Sequence, residues 1–136
     1  RDIIEQIVDL KAKLGFSVLF ITHDLGLMIE FCDRIGIMYS GELVAVAPSE
    51  AILTNALHTY TRALGNSFPP LTGPRLRMEG IPGSPPDLRS LPQGCRFAPR
   101  CPHAMDICRV ENPELRLYPE HRGQAACHLL NKKRLA

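Results

Sequence analysis

Apolar and polar residues alternate with helical spacing at the start of the chain and then give way to a continuous apolar run. Within residues 2–14 the apolar positions recur every three or four residues, which predicts an amphipathic helix that Gly15 can end. Residues 17–22 are apolar and rich in β-branched side chains. Such a run after a helix predicts a buried parallel strand. Asp24 is then expected to cap the N-terminus of a helix over residues 25–32.

The next part of the chain predicts a hairpin and two short helices. The strands are expected over residues 34–39 and 42–47, and the helices over residues 48–53 and 60–64. Ser40 and Gly41 stand between the strands as a hairpin turn signal. Pro48 is well placed to open the first of the two helices, because proline suits the first turn of a helix.

Proline and cysteine dominate the second half of the chain. Residues 66–93 contain seven prolines and three glycines. No regular element is expected at that density, so this stretch is interpreted as a linker or a wrapped arm. Residues 94–130 hold four of the five cysteines, and residues 131–136 form a basic tail.

Charge and composition limit the classes of function. Residues 1–87 carry 7 Lys/Arg and 10 Asp/Glu, whereas residues 88–136 carry 9 and 4, which suggests two modules of opposite sign. The 136 residues lack an apolar run long enough to span a bilayer. The chain has no Trp, and its three Tyr do not alternate with basic residues, so no nucleic-acid partner is expected.

The first candidate site is His23, which follows the predicted strand. Ligands of open α/β sheets bind beyond the carboxyl ends of the strands, and the helix N-terminus after His23 favours a negatively charged group. By itself the position of one histidine is weak evidence. However, Val18–Leu25 followed by Cys32–Val44 resembles the switch-histidine region of ABC-transporter ATPases, and the resemblance extends over residues 2 to about 65.

That resemblance implies a role for His23 and a larger context for it. It implies that His23 contacts the γ-phosphate of ATP and orients the attacking water, in a subunit that binds ATP and Mg²⁺. The chain contains no G-x-x-x-x-G-K-[ST] loop, no LSGGQ-like signature and no Asp-Glu pair after an apolar strand. We therefore expect the chain to be the C-terminal portion of a longer ATPase and to be inactive alone, and whether the chain is itself an enzyme stays open.

The second candidate site comprises Cys95, Cys101, Cys108 and Cys127. The gaps between them are wider than the short Cys pairs of common zinc sites. The spacing alone leaves disulfides, a metal or iron–sulfur cluster, and unbridged structural thiols as alternatives. The basic residues Arg96, Arg100 and Arg109 are expected to lower the thiol pKa values. Three histidines are near enough in sequence to act as substitute ligands: His103, His121 and His128. Cys32, which stands apart, is interpreted as a buried helix residue.

The cysteine segment closely resembles the C-terminal module of peptide-importer ATPases. It matches the pattern C-x-F-x-x-R-C-P-x-A-x-x-x-C … C-H. Some members of that group carry a [4Fe–4S] cluster on these four cysteines, so the resemblance implies the same role here, with zinc as the alternative. Residues 58–64 match the group's H-P-Y-T-x-x-L motif except that Thr59 replaces the proline. Tyr60 and Thr61 are interpreted as packing residues.

Together these features predict an α/β protein: the C-terminal fragment of a P-loop ABC ATPase domain, followed by a Pro-rich arm and a small irregular Cys-rich module. The expected boundaries are 1–65, 66–93, 94–130 and a tail at 131–136. The resemblance implies an importer of oligopeptides or dipeptides at the cytoplasmic face of the membrane. It also implies a second ATP-binding subunit (identical or paralogous), permease subunits and an indirect peptide-binding protein. The alternative is an independent Cys-rich module that binds a metal or cluster and interacts with a partner.

Overall fold

The computed structural model describes residues 2–67 and 80–131. Its helices are α1 (Asp2–Leu14), α2 (Leu25–Phe31), α3 (Thr59–Asn66) and α4 (Asp106–Val110). Its strands are β1 (Arg34–Tyr39), β2 (Glu42–Pro48), β3 (Arg116–Tyr118) and β4 (Gly123–Ala125). Single turns of 3-10 helix span Ala98–Arg100, Pro119–His121 and His128–Leu130. The predictions for residues 68–79 of the arm and 132–136 of the tail lie outside the described residues.

The helices α1, α2 and α3 confirm three predictions made from local signals. The backbone N–H of Leu27 donates to Asp24 Oδ1 at 3.0 Å, so Asp24 caps α2 as expected. Residues 80–93 of the proline-rich segment contain no helix or strand, in agreement with their composition.

The buried parallel strand predicted over residues 17–22 is wrong. These residues have no regular secondary structure, and Leu19 and Ile21 are 87% and 91% exposed. A parallel strand forms only when neighbouring strands pair with it and helices cover both faces of the sheet. Within residues 2–67 and 80–131 the sheet consists of β1 to β4, and none of these pairs with the 17–22 run.

The helix predicted over residues 48–53 is also wrong. Strand β2 continues through Pro48, and residues 49–55 form turns. The N–H groups of Ile52 and Asn55 donate to the carbonyls of Pro48 and Ala51, each four residues earlier. Because the two bonds are not consecutive, they close separate turns and do not build a helix.

The four strands form one antiparallel sheet in the order β1-β2-β4-β3. The predicted hairpin is confirmed: Ser40 (φ 48°) and Gly41 (φ 83°) both adopt positive φ, as a tight two-residue turn between twisted strands requires. Strand β4 pairs with β2 through Ala45–Ala125 and Val46–Gln124. The sheet therefore joins the hairpin to a strand from the cysteine-rich segment, and the sequence analysis did not predict β3 or β4.

The core lies between this sheet, α2, α3 and the start of the cysteine-rich segment. Phe97 is 1% exposed at its centre. Its ring contacts Tyr39 of β1 edge-to-face at 5.2 Å and Tyr60 of α3 at 5.3 Å, measured between ring centroids. One aromatic cluster thus holds together the hairpin, α3 and the segment that carries the cysteines.

Candidate functional site

His23 lies in the connection between residues 17–22 and α2, where its imidazole is exposed. The preceding Thr22 accepts a hydrogen bond from the backbone N–H of Asp24 through Oγ1 at 3.2 Å, and Asp24 in turn caps α2. These two bonds hold the backbone at Asp24, the residue directly after His23. The imidazole therefore stands just before a capped helix N-terminus, as the sequence predicts, although the strand expected before it is absent.

An open groove of about 810 Å³ runs beside His23. Its walls are formed mostly by apolar side chains of α1, residues 18–22, α2, β1 and α3. The charged groups at its edge include Lys11, whose Nζ is 2.6 Å from Asp33 Oδ2. This ion pair links α1 to the second residue after α2. Tyr60 and Leu64 of α3 line the same groove. An imidazole at the edge of an apolar groove can donate a hydrogen bond to an anion but cannot by itself transfer a phosphoryl group.

The four predicted cysteines come from four short segments that the fold brings together. Cys95 and Cys101 flank the 3-10 turn at Ala98–Arg100, Cys108 is on α4, and Cys127 follows β4. The N–H of Cys95 donates to the carbonyl of Cys108 at 2.8 Å. All five cysteines of the chain are free of disulfide bonds.

The thiols lie close enough to affect one another electrostatically. Burial raises the pKa of Cys95, and the neighbouring Cys108 and Cys127 raise it further. Burial likewise raises the pKa of Cys127, with further upward contributions from Cys101 and Cys108. A like-charged neighbour disfavours a thiolate, so this cluster of sulfurs would be stabilised by a positively charged group between them.

Backbone N–H groups point at two of these sulfurs and partly oppose the effect of burial. The backbone of Phe97 and Ala98 lowers the pKa of Cys95, although less than burial raises it. The backbone of Leu129 and Thr59 does the same for the pKa of Cys127. Hydrogen bonds of this kind favour the charged thiolate, which is the form that ligates metals.

The expectation that arginines lower the pKa of the thiols is wrong for Cys95 and Cys127, whose pKa values are raised. Arg96 instead donates to the carbonyl of Ser40 and pairs with Glu42 at 3.0 Å. The Arg100 side chain is likewise committed elsewhere. It donates to the carbonyls of Pro82 (2.9 Å) and Ile81 (3.0 Å) and to Tyr39 Oη (3.2 Å). These arginines therefore bind the cysteine-rich segment to the hairpin and the arm.

The three candidate histidine ligands do not join the thiols in a metal site. His128 is buried and its Nε2 bonds to the carbonyl of Glu111 at 2.9 Å, whereas His121 contacts the Asn55 side chain at 3.2 Å. His103 is exposed. Among residues 2–67 and 80–131, no group of three or more His, Cys, Asp or Glu side chains is arranged so that it could hold a metal ion.

The fifth cysteine stands apart from the other four. Cys32 caps the C-terminus of α2, and its thiol contacts the Met28 sulfur at 3.5 Å. Burial raises its pKa, and the carboxylate of Asp33 raises it further. Cys32 therefore stands apart from the other cysteines as expected, but it is a half-buried residue that follows α2 and not the buried helix residue that the sequence predicts.

Helix α3 connects the groove to the cysteines, and His58 at its start is a residue that the sequence analysis did not single out. His58 is buried, and its Nδ1 accepts from the N–H of Tyr60 at 3.0 Å as the N-cap of α3. The imidazole also hydrogen-bonds the backbone of Ala126, next to Cys127, while burial lowers its pKa to about 4. Histidine is not a usual N-cap residue, so the cap could not be inferred from residue type.

Tyr60 and Thr61 behave as packing residues, as interpreted from the sequence. The Tyr60 ring lies 4.7 Å from that of Tyr39, centroid to centroid. Thr61 is completely buried, and its Oγ1 has no hydrogen-bond partner within the part of the chain that the structure describes.

Comparison with known proteins finds one matching family model and several similar transport ATP-binding proteins. Residues 44–108 match the family model described as the oligopeptide/dipeptide transporter, C-terminal region. Over 133 residues the chain is 40% identical to the dipeptide transport ATP-binding protein DppD of Caldanaerobacter subterraneus subsp. tengcongensis, covering 97% of this chain and 40% of that protein. It is 43% identical over 113 residues to the oligopeptide transport ATP-binding protein AppD of Bacillus subtilis, covering 83% of this chain and 34% of that protein.

A third relative gives the same picture. The chain is 37% identical over 126 residues to the dipeptide transport ATP-binding protein DppD of Escherichia coli, covering 93% of this chain and 38% of that protein. The chain thus spans about two-fifths of the length of the curated relatives it matches. Within the part that the structure describes, no helix is long and apolar enough to cross a membrane.

Proposed function

Because residues 44–108 match the C-terminal region of oligopeptide/dipeptide transporters and the chain is similar to ATP-binding proteins of such transporters, we propose that it belongs to that family and serves in coupling ATP binding and hydrolysis to peptide import. In this role it acts as part of a longer subunit that pairs with an identical or paralogous ATP-binding subunit. The pair drives permease subunits at the cytoplasmic face of the membrane, and a separate binding protein supplies the peptide.

The position of His23 carries this proposal. Its exposed imidazole precedes the capped N-terminus of α2 and borders a groove, which leaves it accessible to a bound anion. When bound to the subunit, ATP and Mg²⁺ supply the phosphoryl group and the charge neutralisation that phosphoryl transfer requires. His23 donates a hydrogen bond to the terminal phosphate and orients the attacking water. Thr22 and Asp24 hold the backbone that presents the imidazole.

The replacement His23→Ala in the full subunit, assembled with its permease, tests this role. We expect ATP hydrolysis to fall by about a hundredfold or more, because one positioned hydrogen-bond donor to a developing charge contributes that much. Binding of a fluorescent ATP analogue should be retained. His103→Ala is the matched control, since that histidine is exposed in the cysteine-rich segment. Hydrolysis at the wild-type rate in His23→Ala would exclude the proposed role.

The four thiols are proposed to hold a [4Fe–4S] cluster that acts as a structural staple. The chemistry of the donors supports such a group, because the four cysteines are unbridged and near enough to interact electrostatically. When bound, the cluster neutralises the thiolates and links four short segments. Zinc, which thiolates also bind, is the alternative.

Anaerobic purification of the full chain tests the cluster. The protein should be brown, contain about four iron and four sulfide per chain, and lose its visible absorption in Cys101→Ser. Cys32→Ser is the matched control and should keep the colour, because Cys32 contacts Met28 on α2. Colourless protein with one zinc per chain would show that the four cysteines bind zinc and not an iron–sulfur cluster. Colourless protein without metal would contradict both assignments.

The alternative of an independent metal-binding interaction module is not supported. A relative named as a dipeptide transport ATP-binding protein matches 97% of the chain. In addition, β4 of the cysteine-rich segment pairs with β2 of the hairpin, so the two parts share a sheet.

A further inference from the structure

The last part of the proline-rich arm lies against the core although it has no regular structure. Residues 81–83 belong to no helix or strand, and Pro82 and Gly83 are exposed. Ile81 is half-buried and packs against the core cluster that includes Phe97. A short segment without ladder hydrogen bonds is expected to open readily, since local stability depends on such bonds and on burial. Another interaction must therefore hold this segment in place.

One side chain, that of Arg100, forms all the hydrogen bonds that join residues 81–83 to the rest of the described chain. Its Nε donates to the carbonyl of Pro82 at 2.9 Å, and its Nη2 donates to the carbonyl of Ile81 at 3.0 Å. The remaining nitrogen, Nη1, donates to Tyr39 Oη at 3.2 Å, and the guanidinium carbon lies 6.0 Å from the centroid of the Tyr39 ring. A guanidinium can reach three acceptors at once because its N–H groups lie in one plane with a fixed geometry. One rigid group therefore joins the arm to β1.

Arg100 and Gly83 fit each other closely. The N–H of Arg100 donates to the carbonyl of Phe97 at 2.9 Å, and Phe97 is 1% exposed, so the backbone that carries the arginine is fixed to the core. On the other side of the contact, Gly83 adopts a φ of 78°, which glycine tolerates without strain. A Cβ at Gly83 would lie 3.3 Å from Cγ of Arg100. Glycine therefore allows the backbone of the arm to approach the aliphatic part of the arginine.

We propose that residues 81–83 form a strap that Arg100 holds closed on β1, and that this strap opens without unfolding the core. Opening breaks the three hydrogen bonds of Arg100 and withdraws Ile81 from the core, whereas β1, β2 and β4 keep their own ladder bonds. The strap thereby decides whether the last part of the arm moves with the hairpin or independently of it. The proposal depends neither on the transport role nor on a group bound by the cysteines.

The first experiment measures backbone order at Ile81 and Gly83 by NMR relaxation in the isotope-labelled full chain. In the wild type the order parameters of both N–H groups should be about 0.85, the value of a rigid backbone. Arg100→Gln removes the guanidinium and should lower both order parameters below about 0.6, the range of flexible segments. Arg100→Lys should resemble Arg100→Gln, because an ammonium keeps the charge but cannot present a planar fork to two carbonyls and a hydroxyl.

A control variant and an internal reference separate the strap from general effects of substitution. Arg89→Gln is the matched control, since Arg89 also lies in the arm but bonds to the carboxylate of Asp87 at 2.8 Å, and it should leave the order of the strap unchanged. Ile35 of β1 is the internal reference and should keep an order parameter of about 0.85 in every variant. An ordered strap in Arg100→Gln would overturn the proposal. Loss of order at Ile35 in that variant would also overturn it, because Arg100 would then hold the core and not a separate strap.

The second experiment opens the strap from its other side and leaves the arginine in place. Gly83→Ala adds a Cβ that meets Arg100, and alanine is strained at a positive φ, so the order parameter of Ile81 should fall while that of Ile35 stays at the wild-type value. Gly80→Ala is the matched control, because a Cβ there would meet nothing within 4 Å and the strap should stay closed. If Ile81 were as ordered in Gly83→Ala as in Gly80→Ala, the close contact on which the closed strap depends would be refuted.

Discussion

His58 shows how one buried side chain can set the stability of the region between the two sites. Its imidazole must be neutral for Nδ1 to accept from Tyr60, while the ring also bonds to the backbone of Ala126. Protonation would remove the acceptor at the start of α3 and place a charge in a buried location. The physical consequence is a dependence of stability on pH.

The stability of the reduced chain should fall as the pH is lowered from about 6.5 to about 4. Burial lowers the pKa of His58 from 6.5 to about 4, so over this window the unfolded chain binds a proton that the folded chain does not. The contribution of neutral His58 is fully present above pH 6.5. The difference in pKa corresponds to about 3 kcal/mol of unfolding free energy, lost towards pH 4. Urea unfolding at several pH values measures it.

Two variants isolate the contribution of His58 from that of the carboxylates. His58→Gln cannot titrate, so it should be less stable at pH 7 and should lose most of the slope between pH 6.5 and 4. His103→Gln removes an exposed imidazole and should keep the wild-type slope. An unchanged slope in His58→Gln would assign the pH dependence to other groups.

At the scale of elements, local signals in the sequence account for α1, α2, α3 and the hairpin, whereas α4 was not predicted. The apolar spacing of α1, the Asp24 cap of α2 and the Ser40-Gly41 turn each depend on residues within a few positions of one another. Residues 17–22 show the limit of this reasoning. Their composition favours a strand, but a strand also needs a neighbour to pair with, and composition does not supply one.

The sequence likewise predicted only part of the cysteine site. The spacing of the cysteines leaves disulfides, a metal or cluster, and unbridged thiols open, whereas the structure has no disulfides among the four thiols and brings them within electrostatic reach. By contrast, β3 and β4 have three residues each, too few for a period to be recognised. The contacts of Thr59 and His58 with the cysteine-rich segment join positions far apart in sequence. Such contacts depend on the tertiary fold, so they cannot be predicted from a local sequence pattern.

Gly94 allows the segment before Cys95 to pack against the end of α4. A Cβ at this position would lie 2.3 Å from the carbonyl oxygen of Cys108 and 2.8 Å from the backbone N of Val110. The clash is with backbone, which cannot rotate away. The same approach forms the hydrogen bond from Cys95 N–H to Cys108 carbonyl. Gly94 therefore sets the distance between two of the cysteine-bearing segments.

Gly94→Ala should destabilise the chain by about 3 kcal/mol, the upper end of what over-packing usually costs, because the clash requires backbone movement. The variant should also lose any group held by the four cysteines more readily. Gly80→Ala is the matched control, since a Cβ there would meet nothing within 4 Å and its stability should stay within about 0.5 kcal/mol of the wild type. Urea unfolding measures both, and a Gly94→Ala chain as stable as Gly80→Ala would show that the two segments can move apart.

At the scale of the whole molecule, the hairpin and the cysteine-rich segment share a sheet and a core. Strand β2 pairs on one side with β1 and on the other with β4. Phe97 of the cysteine-rich segment packs between Tyr39 of the hairpin and Tyr60 of α3. Neither part can lose its structure without exposing apolar surface of the other. The change of charge and composition along the sequence therefore does not divide the described residues into separately packed parts.

This shared core predicts that the two parts unfold together, and Phe97→Ala tests it. The substitution should cost about 3–5 kcal/mol, as for other buried aromatic residues, because Phe97 is 1% exposed. Amide hydrogen exchange should show that protection in β1 and in β4 falls by the same free energy, since both report one global opening. Phe16→Ala is the matched control: Phe16 is 41% exposed in the connection after α1, and its loss should leave both strands protected. If Phe97→Ala lowered protection in β4 alone, the hairpin would have a core of its own, and the cysteine-rich segment would be an appended module.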